Sequence, residues 1–332
     1  MRKIKYLIER IIKMDYKGLF STIKKVHKKS GKNSIFLFFD VIYCGFKYQA
    51  GYMDYELFNM YELNRNERRK ILTRGKNDEY VERLNDKKAR EVFNEKQKFN
   101  ERFKEYVGRD WFFINGENEK EFEEFLRDKN KVIIKPVDLC CGKGIEIIRL
   151  EDKNPKELYD FLVETNRPLV EEVLEQNDEM SKLYPDSVNT LRIVTVVSDK
   201  GTASVVGMYL RMGTGGNEVD NFNHGGISAP VNRKTGIVEH KARNKQNVYF
   251  DRHPDTGTPI VGFQIPCWRE VLDFARKMAK EVKEVRYVGW DICITKDGLA
   301  VVEANDYPAN DLCQLPKENI GTANIIEAAL AR

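Results

Sequence analysis

The chain has 332 residues and a net charge of +4, and its composition is 41% hydrophobic and 33% charged. This balance is typical of a soluble globular protein with two or three lobes, and no 18-residue apolar run suggests a transmembrane segment. The six cysteines lack the paired spacing of a zinc site. We therefore expect free thiols and a cytoplasmic protein.

Positive charge is concentrated at the N-terminus. Residues 1–30 contain ten Lys or Arg and two acidic residues, a net charge of +8, which leaves −4 for the remainder. They predict one or two basic helices broken near Gly18, with an apolar stripe of Ile4, Leu7, Ile8, Ile11 and Ile12. Such a segment could contact an anionic membrane at its inner face, or pack its stripe on the protein body. Nucleic acid is not expected as a partner, because the rest of the chain is acidic.

The next segment is rich in aromatic residues. Residues 34–46 (SIFLFFDVIYCGF) form the most apolar run and are predicted to be buried core, and aromatic residues remain frequent up to residue 62. We expect a helical lobe or a docking surface here. Residues 64–107 are charged and helical, with an apolar stripe of Leu72, Val81, Leu84, Val92, Phe93, Phe99 and Phe103.

After Gly108 the pattern changes to alternating short apolar runs and amphipathic segments, which predicts mixed strands and helices. The predicted strands are 112–113, 131–135, 145–150, 168–174, 187–197, 203–212, 288–295 and 299–305. The predicted helices are 119–126, 154–164, 268–282 and 319–332. Asn154 is expected to cap its helix, with Pro155 at the first position.

A glycine-bearing loop joins two of these strands. Gly142, Lys143 and Gly144 follow the strand that ends at Lys135. Glycine amides can approach a phosphate closely, and the two lysines supply cationic donors. The loop therefore suggests a phosphate cover, with an ordinary surface hairpin as the alternative.

Two arginines interrupt apolar strands further along. Arg192 and Arg211 lie in the runs SVNTLRIVTVV and ASVVGMYLRM. A guanidinium on a mainly buried strand needs an anion, which is either a structural salt-bridge partner or a ligand. The polar loop that follows, residues 213–230, contains Asp220, Asn223 and His224 and is predicted to be a mobile active-site cover. His224 is a candidate base without a visible partner.

The hairpin at 288–305 (VGWDICITKDGLAVVEAN) is the most informative stretch. A three-residue turn at 296–298 would place Asp291 opposite Glu303, with Asn305 on the same face opposite Gly289. Gly289 would leave room for a ligand. Two neighbouring carboxylates and an amide oxygen suit a divalent cation that is also bound to a substrate phosphate. An acidic, solvent-facing hairpin is the alternative, and a two-residue turn would split the acids between faces.

These segments, in this order, resemble the ATP-grasp superfamily over about residues 85–310. The resemblance is closest to its sugar-transfer-associated and teichuronopeptide-type branches, found near cell-surface polysaccharide genes. It is carried by the ordered set NEKQKFNERFKEYVGRDWF, VIIKPVDLCCGKGIEII, LVEEVLEQ, SVNTLRIVT, LRMGTGG, NFNHGGI, GWDICI and VVEAN. No single motif in this set is decisive.

The resemblance implies ATP and Mg²⁺, or Mn²⁺, as cofactors. By position it implies phosphate-binding residues (Lys96 or Lys98, Lys135, Gly142, Lys143 and Gly144), an adenine hinge (Glu171, Glu172, Val173 and Leu174), a ribose contact (Gln176 or Glu179), Asn223 in the cover, and metal ligands (Asp291, Glu303 and Asn305). Arg192 and Arg211 would stabilise the transferring phosphoryl group and a tetrahedral intermediate.

The implied fold is α/β (α+β): two ATP-grasp lobes that clamp ATP. We expect a basic helical region at 1–85, a small lobe with the phosphate loop and hinge at 86–175, and a large lobe with the metal site at 176–332. The implied activity is ATP-dependent ligation of a carboxylate to an amine through an acyl phosphate. We expect it to attach an amino acid to a sugar acid or to a related cell-surface polysaccharide or natural-product precursor. A hydroxyl phosphotransferase and a non-catalytic scaffold for membrane glycosyltransferases are the rivals. The segment 220–224 (DNFNH) lacks the arginine that many related ligases have there, and no Rossmann-like lobe precedes the resemblance.

Overall fold

The computed structural model describes residues 15–135, 145–217, 220, 222, 225–246, 248–309, 314 and 321–332. The chain divides into two compact units, residues 84–308 and residues 1–83 with 309–332. None of the described helices combines the length and apolarity needed to cross a bilayer. The predicted stripe within residues 1–14 and the predicted phosphate loop, Gly142, Lys143 and Gly144, lie outside the described residues.

The first unit is helical. Its helices are Tyr16–Ser30, Ser34–Tyr48, Tyr52–Leu57, Arg65–Lys70, Arg74–Leu84 and Ala323–Leu330, with a 3₁₀ turn at Met60–Glu62. The Asp15 carboxylate caps the first helix by accepting the Gly18 N–H at 3.0 Å. Gly18 therefore lies within the first turn and does not break the helix.

Among the described residues of the first unit, a largely buried ion pair lies beside the core. Asp40, which interrupts the apolar run, accepts hydrogen bonds from both terminal nitrogens of Arg68 at 2.7 Å and from the Tyr55 hydroxyl at 2.7 Å. Leu37 and Val41 are buried beside it. The prediction that residues 34–46 are all core is wrong, because a helix can press only one face against its neighbours. The other face is exposed: Ile35, Phe36, Phe39, Tyr43 and Phe46.

The second unit contains two antiparallel sheets. Its strands are β1 Trp111–Phe113, β2 Lys131–Lys135, β3 Glu146–Arg149, β4 Leu169–Glu172, β5 Thr190–Val197, β6 Ala203–Met212, β7 Ile227–Pro230, β8 Ala242–Arg243, β9 Tyr249–Phe250, β10 Tyr287–Ile294 and β11 Leu299–Asn305. Its helices are Glu91–Asn94, Lys96–Arg102, Glu119–Leu126, Pro155–Glu164, Asp178–Ser181 and Trp268–Met278.

The smaller sheet has the order β1-β4-β2-β3. Phe122 and Leu158, from the helices Glu119–Leu126 and Pro155–Glu164, pack against Val132 and Val170 on one face of this sheet. Because alternate residues of a strand share a face, Glu171 projects to the other face. Lys135 is the diagonal neighbour of Glu171, since Ile133 pairs with Glu171.

The larger sheet has the order β11-β10-β5-β6-β7-β8-β9. Its core face contains Leu191, Ile193, Leu210, Met212, Trp290 and Ile292. The residues between these on the same three strands, Arg192, Arg211 and Asp291, therefore share the opposite face. This alternation places two guanidiniums and a carboxylate side by side on neighbouring strands.

The β10–β11 hairpin has the predicted pairing at its acidic end, with Asp291 opposite Glu303 and Gly289 opposite Asn305. The predicted three-residue turn is wrong. Ile294 pairs with Leu299, so the turn has four residues, and an irregularity after Asp291 shifts the register by one residue. The two departures cancel, so both acids share a face.

Candidate active site

Asp291 is the centre of a buried charge network on the larger sheet. One carboxylate oxygen accepts from the Arg192 Nε, and the other accepts from an Arg192 terminal nitrogen at 2.7 Å and from Arg211 at 2.6 Å. Burial by itself would raise the pKa of Asp291, but the two guanidiniums hold it well below its usual range. The anion that both arginines need is therefore the carboxylate of Asp291. This is the structural salt bridge that the sequence left open as one of two alternatives.

The sequence suggested that Gly289 leaves open space for a ligand. The structure shows that this space is occupied. A Cβ atom at Gly289 would lie 3.3 Å from the Cδ of Arg192 and 3.5 Å from the Cβ of Pro308. The missing side chain instead makes room for the stem of Arg192, which allows its guanidinium to reach Asp291.

Glu303 differs from its cross-strand neighbour. Its side chain is 55% exposed, and one of its oxygens lies 3.7 Å from the Arg192 guanidinium. The pKa of Glu303 is raised because the surrounding protein reduces its solvation and because Asp291 lies beside it. Glu303 is therefore the carboxylate of the pair whose charge is least compensated by the protein.

Asn305 carries an unsatisfied amide. Its Nδ2 is buried and has no hydrogen-bond partner among the described residues. A buried polar atom without a partner costs about 1–3 kcal/mol, so such an atom in a site calls for an explanation. An amide can be turned to present its oxygen, which is a suitable ligand for a hard cation.

Glu303 and Asn305 fit part of a Mg²⁺ site. Within the described ranges, no three His, Cys, Asp or Glu side chains cluster in a way that could hold a metal. Glu303 and Asn305 offer a carboxylate and an amide oxygen on one face of β11, while the Asp291 oxygens are held by arginines. The donor set is incomplete without further oxygen atoms, which ATP phosphates carry.

A second charge cluster lies on the smaller sheet, around Glu171. This buried carboxylate binds Arg109 through two contacts of 2.8 and 3.0 Å, accepts from the Asn100 amide at 2.8 Å, and pairs with Lys135. Burial would raise the pKa of Glu171, but Arg109 and Lys135 hold it well below its usual range. Burial lowers the pKa of Lys135, while Glu171 opposes that effect.

Arg109 joins the two clusters. Besides binding Glu171, it donates to the backbone carbonyls of Val301 at 2.8 Å and Val302 at 3.3 Å. Strand β11 is thereby fixed against the Glu171 and Lys135 cluster one residue before Glu303. The negative charge of Glu303 also acts to raise the pKa of Lys135, against the larger effect of burial. The predicted phosphate lysine and the predicted metal carboxylate therefore lie on elements that Arg109 holds together.

The two candidate lysines of the helix Lys96–Arg102 occupy different surroundings. Lys98 is exposed and pairs with Glu91 and Glu95. Lys96 is half-buried and lies one helical turn before Asn100, which contacts Glu171. The geometry favours Lys96 as the lysine that faces the site.

The predicted hinge follows β4. Glu172 ends that strand and exchanges hydrogen bonds with the backbone of Asp110, and Val173 and Leu174 continue as half-buried, irregular chain. The backbone of Glu171 was predicted to form part of this hinge. In the structure its side chain contacts Asn100, Arg109 and Lys135.

The two candidates for the ribose contact, Gln176 and Glu179, differ in burial and in their partners. The Gln176 amide is buried and donates to the carbonyls of Tyr184 and Ser187 at 2.8 Å, while its oxygen accepts from Asn189. All its hydrogen-bonding capacity is used internally. Glu179 is exposed and pairs with Lys182 at 2.6 Å. Glu179 is therefore the better placed of the two to bind a ligand.

Asp220, in the predicted glycine-rich cover, contacts Thr190 and Arg211. One oxygen of this carboxylate accepts from the backbone N–H and the hydroxyl of Thr190, and the other lies 3.3 Å from the Arg211 guanidinium. β7 begins at Ile227, so the predicted cover is shorter than 213–230. Asn223 and His224 lie outside the described residues.

Sequence reasoning missed Arg109, Asn100 and the contacts of Asp220. The side chain of Arg109 is almost fully buried beside Gly108, whose positive φ of 57° sets a sharp change of direction before β1. The sequence contained one indication that Arg109 is buried: it stands between Val107 and the apolar strand WFF. Its partners were not readable, because Glu171 and Val301 are far away in the sequence.

A family model described as sugar-transfer associated ATP-grasp matches residues 75–325. Similar solved structures include N5-carboxyaminoimidazole ribonucleotide synthetase from Thermotoga maritima, at 15% identity over 68% of this chain and 44% of that chain, with a TM-score of 0.39. The ATP-grasp ligase PsnB with a minimal precursor is 15% identical over 75% of this chain and 63% of its own, with a TM-score of 0.44.

D-alanine–D-alanine ligase from Bacillus anthracis is 13% identical over 73% of this chain and 67% of its own, with a TM-score of 0.43. The chain spans less than two thirds of the length of the synthetase and of PsnB. No curated protein matches the sequence.

Proposed function

The chain belongs to the sugar-transfer-associated ATP-grasp family, and from this premise we propose that it is an ATP-dependent ligase that joins a carboxylate to an amine. The reaction passes through an acyl phosphate and releases ADP and phosphate. The proposed substrates are an amino acid and a sugar acid, or a related precursor of the cell envelope or of a natural product. This pairing would serve the assembly of a surface polysaccharide.

One observation carries the proposal. Arg109 binds Glu171 and the backbone of β11, so the cluster that contains Lys135 is held beside the strand that bears Glu303. A cationic side chain and an incompletely compensated carboxylate would thus border one site. Such a pairing suits a phosphate chain that is bound on one side by ammonium and on the other by a metal ion.

The nucleotide would be bound by residues of the smaller sheet and its neighbours. Lys135 and Lys96 would contact phosphate oxygens, and the backbone at 171–174 would hold the adenine. Glu179 would accept from the ribose hydroxyls. Binding of phosphate would also offer Lys135 a second anion besides Glu171, in surroundings where burial disfavours its charge.

Glu303 and Asn305 would hold Mg²⁺ or Mn²⁺, with Asp291 beside them. When bound, the ion would neutralise phosphate charge. Glu303 must be deprotonated to bind a cation, and the Arg192 guanidinium near it favours that form.

Bond formation needs no nucleophile from the protein. A substrate carboxylate oxygen attacks the γ-phosphorus and ADP leaves; the amine then attacks the acyl carbon, loses a proton, and phosphate leaves. Negative charge develops on oxygen in both steps. Arg192 and Arg211, fixed by Asp291, would present preorganised positive charge to these oxygens.

Phosphate release tests the proposal directly. The protein is incubated with ATP and Mg²⁺ and with pools of amino acids and sugar acids, separately and together. Release that requires both pools supports ligation. A phosphorylated hydroxyl product would show a phosphotransferase instead, and nucleotide binding without turnover under any pool would favour the scaffold.

The proposed setting is the cytoplasm, where ATP is available. Cys44, Cys267 and Cys293 are free thiols, which suits a reducing compartment. Peripheral contact of residues 1–30 with the inner face of a membrane stays a prediction. If the protein binds there, its substrates would be precursors that are assembled at that surface.

A further inference from the structure

We propose that the first unit carries a membrane-docking face that rests on an anionic lipid bilayer. The face consists of the outer side of the helix Ser34–Tyr48 together with Tyr16 and Phe20. It extends the contact predicted for residues 1–30 to a segment of different sequence character. It does not depend on the ligase reaction, because its residues belong to the helical unit.

The outer side of this helix is an aromatic stripe. Ile35, Phe36, Phe39, Tyr43 and Phe46 recur at spacings of one to four residues, and each is between 41 and 69% exposed. The opposite side, with Leu37 and Val41, is buried. A helix that is apolar on both sides normally lies inside a protein, and a large exposed apolar patch usually marks an interaction site.

The patch continues onto the helix Tyr16–Ser30. Phe20 is exposed and stacks on Phe38 at 6.1 Å between ring centroids, and Phe38 meets Phe39 edge-on at 5.5 Å. Tyr16 lies one helical turn before Phe20 and is also exposed. Two helices therefore contribute to one continuous aromatic surface.

The surroundings of this surface are cationic. Residues 16–48 contain seven lysines, and their acidic residue, Asp40, is held by Arg68. Lys24 and Lys28 follow Phe20 at intervals of four residues, so they lie on the same side of the helix and are exposed. Rings that insert at the headgroup level beside lysines that contact phosphates are the pattern of an interfacial helix.

A second copy of the chain is a poorer occupant. In a two-fold contact the same patch meets itself, so the lysine-rich rims, which include Lys24 and Lys28, would be brought together and would repel each other. An anionic bilayer matches both the apolar and the cationic parts of the face.

The test is co-sedimentation of the full chain with vesicles of phosphatidylcholine alone or mixed equally with phosphatidylglycerol. We expect binding to the mixed vesicles only. The triple variant Phe36→Gln, Phe39→Gln, Phe46→Gln and the double variant Lys24→Glu, Lys28→Glu should each lower the partition coefficient by about tenfold or more. Phe161→Gln, at an exposed aromatic residue of the other unit, is the matched control and should bind as wild type.

The variants should retain the wild-type melting temperature and ATP affinity, since the substituted side chains are exposed. Three results would overturn the proposal: no binding of wild type to anionic vesicles, undiminished binding of the triple variant, or a wild-type dimer in solution that the triple variant abolishes. If phosphate release is absent while vesicle binding behaves as expected, the ligase proposal fails and the docking face stands.

Discussion

Asp291 and Glu303 face each other across the β10–β11 hairpin, and their pKa values are shifted in opposite directions. Arg192 and Arg211 keep Asp291 ionised, although its burial acts against this. Glu303 is left with reduced solvation and a negative neighbour, and both raise its pKa. Asp291 is thus held by two arginines, while the charge of Glu303 is less fully compensated by the protein.

The raised pKa of Glu303 predicts that binding of Mg²⁺ with ATP releases a proton at pH values near that pKa. Below that pKa Glu303 is protonated and cannot bind a cation, so affinity should fall as the pH falls through it. Calorimetry in buffers of different ionisation enthalpy measures the released proton. The Glu303→Gln variant should bind about tenfold or more weakly and lose this proton release.

Asp297→Asn, in the turn of the same hairpin, is the control and should leave both quantities unchanged. Proton release that persists in Glu303→Gln would assign the titration to another group and remove Glu303 from the metal site.

Asp291→Asn should destabilise the fold by about 3–5 kcal/mol, because it leaves two buried guanidiniums without their shared anion. In the wild type the folded pKa of Asp291 lies below its unfolded value. Its contribution to the free energy of unfolding is therefore complete above the unfolded pKa of about 3.9 and is lost as the pH falls toward the lower, folded pKa. Urea unfolding at a series of acidic pH values measures both effects. If Asp291→Asn lowers the free energy of unfolding by less than about 1 kcal/mol, Asp291 does not hold the two arginines as proposed.

Lys96→Ala should weaken ATP binding by about tenfold or more, whereas Lys98→Ala should change it by less than about twofold. Lys98 is engaged by Glu91 and Glu95 at the surface, while Lys96 lies on the side of its helix that carries Asn100. Titration with ATP and Mg²⁺ compares the two variants. The reverse order would show that the helix turns its other face to the nucleotide.

Gln176→Ala and Glu179→Ala should separate stability from binding. Removing the buried Gln176 amide leaves carbonyl and N–H groups unsatisfied, at a cost of about 1–3 kcal/mol in the free energy of unfolding. Glu179→Ala should leave stability within about 0.5 kcal/mol and lower the affinity for ATP relative to a nucleotide analogue without ribose hydroxyls. Equal affinities of both variants for ATP would remove Glu179 from the ribose site.

The sequence alone determined most of the local structure. The spacing of apolar residues predicted the strand Ala203–Met212 and the helix Glu119–Leu126 at the residues where they occur. The predicted α/β (α+β) class, the helical N-terminal region and the family are confirmed. The pairing of Asp291 with Glu303 was predicted as well, because residue parity on a hairpin depends only on local spacing, although the turn itself differed.

Tertiary structure alone decided which charged groups share partners. Arg109, Glu171 and Val301 come from three distant parts of the chain and are in contact in the folded protein. Asp291 accepts hydrogen bonds from both Arg192 and Arg211. Periodicity shows which face a residue occupies, but not what stands opposite it. The same limit explains the aromatic face of the helix Ser34–Tyr48, because a run that is apolar on both sides carries no local mark of which side the core will cover.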